Sequence, residues 1–68
     1  MITLEKLKAK NNKQLYVHLL HNKWNKDTII DMLEFADIVI DKSLNLKEIV
    51  EKHHDDICEL IFEAYQER

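Results

Sequence analysis

Not one of the 68 residues is a glycine or a proline. Every turn must therefore be made by Asn, Asp, Ser or Lys. Tight type I′ hairpins lean on glycine, so their absence weighs against a sheet-rich fold. The residues between the turns are periodic at helical spacing, and the expectation is an all-α chain.

The most regular stretch runs from Leu44 to Arg68. Leu46, Val50, His53, Ile57, Leu60 and Ala64 recur in steps of four and three, the rhythm of a helix whose apolar seam meets another helix. Ile49, Ile61 and Tyr65 widen that seam. Asn45 and Glu48 have the spacing of a capping box, and Leu44 with Ile49 that of a hydrophobic staple. This stretch is read as one helix from the Asn45 cap to Glu67. His53 falls on the seam, where a polar side chain can fix register or make association pH-sensitive. The plainer reading turns the helix slightly and leaves His53 at the edge.

Three further segments precede it. Thr3 can cap a short helix carrying Leu4 and Leu7, which with Ile2 can dock on the rest. Asn11 and Gln14 resemble a capping box with amides in place of hydroxyl and acid. The helix after it, to about Lys23, carries Leu15, Leu19, Tyr16 and Leu20, with Trp24 closing the series. Asn25 or Asp27 then caps a helix read as reaching Asp41. Its apolar residues, from Ile29 to Ile40, are more than one face needs, so it is expected to lie between two helices or against a second copy. Lys42-Ser43 would be the last turn, short enough to set the flanking helices antiparallel. The expected architecture is a single domain over 1–68, a small three- to four-helix bundle built on that antiparallel helical hairpin.

A chain this short hides only roughly 60% of the surface its unfolded form exposes. Cys58 is the sole cysteine, so no disulfide staples the fold. Self-association is one way to bury more apolar surface, and a homodimer is expected through the apolar third helix or the seam of the fourth. A lone cysteine and the lack of a signal peptide favour a reducing, cytoplasmic setting. Apolar runs are too short to span a membrane.

Charge is uneven. Residues 1–26 carry six lysines against Glu5, a net of +5, and residues 27–68 carry twelve acids against four bases, a net of −8. Asp27, Asp31, Glu34, Asp37 and Asp41 form one acidic row at helical spacing, and Asp55, Glu59 and Glu63 form another. Such a surface suits docking on a basic protein, as an inhibitor or adaptor does, or mimicry of nucleic-acid phosphates. The plainer reading is solvated helix faces. A second functional reading gives the Lys-rich N-terminal third, with Tyr16 and Trp24 nearby, to nucleic acid. Against it, the isoelectric point is below 6 (about 5.7).

Chemistry finds little footing. His54 and Cys58, or His18 and His21, are spaced to share a metal, and His53-His54-Asp55-Asp56 is similar to a string found in metal-dependent phosphohydrolases. Those enzymes need further ligands over a longer chain, and this sequence supplies none. Ser43 is the sole serine and no glycine-rich phosphate loop is possible. No catalytic site, cofactor or metal is expected. The length and helical hairpin are similar to those of small plasmid, phage and sporulation regulators, without a shared motif. The expectation is a non-catalytic protein-interaction module, with a nucleic-acid-associated regulator as the alternative.

Overall fold

The computed structural model describes residues 3–66. They form four helices and no strand: α1 (Leu4–Ala9), α2 (Asn12–His21), α3 (Lys26–Phe35) and α4 (Leu46–Gln66). Each helix opens on a side-chain oxygen that takes a free backbone N–H of the first turn. Thr3 Oγ1 accepts from Lys6 N at 3.2 Å, Asn11 Oδ1 from Gln14 N at 2.8 Å, Asn25 Oδ1 from Thr28 N at 2.8 Å and Asn45 Oδ1 from Glu48 N at 2.9 Å. At α2 and α4 the bond is returned, Asn11 N donating to Gln14 Oε1 and Asn45 N to Glu48 Oε1. Both expected capping boxes are present, and of the two candidates for α3 the cap is Asn25.

Without glycine, two helices still end in the left-handed turn that glycine usually makes. Lys23 has φ 62° and so does Asp37. After α2, Lys23 N donates to Leu20 O at 3.1 Å and Trp24 N to Leu19 O at 2.9 Å. After α3, Asp37 N donates to Glu34 O at 2.9 Å and Ile38 N to Leu33 O at 3.0 Å. This paired pattern is the Schellman motif. Its apolar contact is supplied by Trp24 and Ile38, both packed against the buried cluster that holds Leu19 and Leu33.

The second of these turns corrects the expected helix over residues 27–41. α3 stops at Phe35, six residues early, and the chain to Asn45 is irregular. Ile38 and Ile40 are half-buried on the core while Val39 between them points to solvent, the alternation of an extended segment. The connection is thus much longer than Lys42-Ser43 alone. Asp41 closes it: Ser43 N–H and Ser43 O–H both donate to Asp41 Oδ1, at 2.9 and 2.6 Å. Those two bonds hold the Asp41 carboxyl below the usual carboxylate range. Lys26 Nζ also donates to Lys42 O at 2.9 Å.

α4 is the element on which α1, α2 and α3 each pack. Leu46, Ile49, Val50, Ile57, Cys58 and Ile61 are its buried side. They close a wholly apolar cluster with Leu7 of α1, Leu15 and Leu19 of α2, and Ile29, Ile30 and Leu33 of α3. No described polar side chain is buried, and none leaves a buried atom without a hydrogen bond. The expected seam holds at Leu46, Val50 and Ile57 and slips beyond. His53 leaves helical backbone, with φ −123° and ψ 31°, and past it Cys58 and Ile61 go inside while Leu60 and Ala64 stay half-buried. His53 is itself half-buried, the edge placement. Of the two expected uses of the seam, core or dimer, Leu46, Val50 and Ile57 serve the core, covered by helices of their own chain.

Candidate functional site

α3 presents two faces of opposite character. Ile29, Ile30 and Leu33 are buried, and Asp27, Asp31 and Glu34 are exposed on the other side. Phe35 lies one turn on from Asp31, and side chains four apart are neighbours on a helix. It belongs to that solvent face and is 94% exposed. Val39, in the loop beyond, is 92% exposed. Asp37 and Asp41 have left the helix, so the five acids are not one helical row. They are exposed around the end of α3 and the loop after it.

Salt bridges occupy part of this charge. Glu34 Oε2 meets Lys42 Nζ at 3.1 Å. On α4, Asp55, Glu59 and Glu63 are exposed, and Glu59 Oε1 meets Lys8 Nζ at 3.1 Å, tying α4 to α1. The Lys8 ammonium is pushed up by that bond. Exposed pairs of this kind are screened by solvent and contribute little to stability. Glu59 thus joins α4 to α1, whereas the outer face of α3 carries the exposed ring of Phe35.

A second feature lies on α2. Lys10, Asn11, Lys13, Gln14, Val17, His18 and His21 line a shallow open groove, and no carboxylate lines it. Val17 is 41% exposed and Leu20, on the same helix, 50%, so Leu20 is not the core residue its spacing with Tyr16 and Trp24 implies. The groove's floor is fixed by α4. Tyr65 O–H lies 3.3 Å from His18 Nε2, with the rings edge to face at 6.4 Å. His54 Nε2 lies 2.7 Å from the Lys10 carbonyl oxygen, so that nitrogen carries the proton and donates. The His18 imidazole is pushed down by desolvation first, and then by Lys10 and His21 nearby.

The remaining candidates do not assemble. Cys58 is fully buried and burial pushes its thiol up to about 11, so it stays protonated and unreactive near neutrality. His54, spaced to share a metal with it, is turned to the Lys10 carbonyl instead. Among the described residues no three His, Cys, Asp or Glu side chains converge as a metal site would require, and no described helix is long and apolar enough to cross a membrane. Periodicity finds the acids but does not single out Phe35, which it leaves in the wide apolar surface expected to lie between two helices or against a second copy. The signal was available: position 35 falls with Asp31 rather than with Ile29 and Leu33 at 3.6 residues per turn. Comparison with protein-family models, curated proteins and solved structures finds no match to this chain.

Proposed function

We propose that this chain is a non-catalytic interaction module that binds a protein with a basic surface through the acidic end of α3 and the loop after it. The observation that carries the reading is Phe35, almost fully exposed on a helix face whose neighbours are Asp31 and Glu34. An exposed aromatic in a charged setting is the usual form of a binding hot spot: the ring supplies desolvated area and the rim charges steer and select. Asp37 and Asp41 extend the rim, and Val39 adds a second apolar contact. The α4 acids Asp55, Glu59 and Glu63 take a lesser part, one of them being engaged with Lys8. Among the described residues the buried core is wholly apolar and Cys58 is protonated, which supports a binding role over a chemical one.

The test compares three immobilised proteins in extract of the native host: wild type, D31N/E34Q/D37N and F35S. The expected result is one protein retained by the wild type and lost with both variants, at unchanged helical circular dichroism. Equal retention by all three would overturn the reading.

The second reading, a nucleic-acid-associated regulator, is favoured by the acid-free groove of Lys10, Lys13, His18 and His21. Phosphate contacts would come from those side chains. No Phe, Tyr or Trp ring lines the groove to stack a base, and the chain's net charge is −3. A DNA or RNA oligonucleotide bound in low salt and released as salt rises would support it.

A further inference from the structure

We propose that the groove on α2 receives the acidic, Phe35-bearing surface of a second copy of this chain, so that copies join head to tail. The inference rests on the reading above for which surface binds, and adds what it binds. Three observations converge on it. The first is charge: Lys10, Lys13, His18 and His21 line the groove with no carboxylate among them, while Asp31, Glu34 and Asp37 surround Phe35. Of these acids Glu34 is itself paired with Lys42. The second is apolar content. Phe35 and Val39 are almost fully exposed on one surface, and Val17 is 41% exposed in the groove. The third is length. Lys13 to His21 spans about 12 Å along α2 and Asp27 to Glu34 about 10 Å along α3, at 1.5 Å per residue.

The two surfaces share no residue. Such a contact is heterologous: it closes into a ring if the rotation allows and otherwise continues as a chain of copies. A small core gives the association a physical benefit, because a domain of this size hides a low fraction of its surface by itself. Charge complementarity of this kind is salt-sensitive.

Sedimentation velocity on the full chain tests this across micromolar to millimolar concentration. Wild type is expected to sediment faster as concentration rises in low salt, and to return to monomer in high salt. K10E/K13E, which reverses the groove, and D31K/D37K, which reverses the surface, are each expected to weaken association at least about tenfold. Lys23 shows that the chain accepts lysine in the backbone conformation of Asp37, and circular dichroism checks that both variants keep wild-type helicity. An equimolar mixture of the two variants regains association, since one retains the acidic surface and the other the groove. A wild type that stays monomeric at millimolar concentration in low salt would overturn the proposal, as would a dimer indifferent to both variants. So would an oligonucleotide that binds through Lys10 and Lys13 while the chain remains monomeric. If the monomer still retains a host protein that D31N/E34Q/D37N loses, the inference falls and the reading of the acidic surface stands.

Discussion

Lys23 and Asp37 occupy the same left-handed backbone for the same reason, yet they do not tolerate it equally. An L-residue there crowds its Cβ against the carbonyl, and short polar side chains such as Asp relieve this better than Lys. Lys23→Gly should therefore stabilise the fold by about 0.5–1 kcal/mol, and Asp37→Gly by less. Urea midpoints at constant slope would show the order; a loss of stability in Lys23→Gly would contradict it. Absent glycine made it legible that such residues would form the turns, but not which of them would go left-handed. His18 carries a second prediction. Desolvation and two cationic neighbours depress its folded pKa below the ordinary value of 6.5. Above 6.5 the imidazole is neutral folded or unfolded and adds no pH dependence. As pH falls below 6.5 the unfolded chain takes the proton first, so stability declines, and this contribution levels off below the folded pKa. The stability difference between wild type and His18→Gln, followed by thermal unfolding from pH 7.5 to 5, should shrink or change sign in that window; a difference independent of pH would show the side chain is not desolvated.

At the scale of the element, cap chemistry was legible and helix ends were not. Thr3, Asn11 with Gln14, Asn25 and Asn45 with Glu48 are local signals, each acting within one turn, and each is where the sequence places it. The end of α3 is a competition. Ile38, Val39 and Ile40 extend the apolar pattern, but the Schellman turn lets Ile38 and Ile40 reach the core from an extended chain instead. No local signal marks the loss. In α4 the strict seven-residue repeat drifts against a helix of 3.6 residues per turn, and the break at His53 adds to the drift. No residue type at the break explains it. Past it, α4 is tied to α1 and α2 through His54, Glu59 and Tyr65. The two registers are separable by mutation. Ile61→Ala should cost about 2–5 kcal/mol, because Ile61 is fully buried, whereas Leu60→Ala, half-buried, should cost clearly less. The order would reverse if the heptad ran unbroken. Denaturant unfolding of the two variants decides between them.

The molecule as a whole is a central helix with three shorter ones on it, and its smallest helix is no appendage. The radius of gyration is 11.0 Å, matching the value of about 11 Å expected for a compact chain of this length. Stability at this size is about 3–10 kcal/mol in total. α1 has only six residues, too few to hold a helix by its own hydrogen bonds, and the sequence left open whether it docks at all. What fixes it is Leu7, fully buried in the cluster that α2, α3 and α4 share. Beside it the Lys8–Glu59 pair lies at the surface, and the carbonyl of Lys10 receives the His54 ring. These ties differ greatly in energy. Removing the Leu7 side chain leaves a cavity in that shared cluster, so Leu7→Ala should cost about 2–5 kcal/mol, a large part of the whole. Lys8→Ala breaks an exposed, solvent-screened ion pair and should cost far less. Hydrogen exchange then reports how the loss spreads. If α1 belongs to the common core, Leu7→Ala lowers amide protection in α2 and α4 together with α1, because a single cooperative unit opens as one. Protection lost in α1 alone, with α4 unchanged, would mean instead that residues 12–66 fold without it and that the groove beside Lys10 is held from one side only.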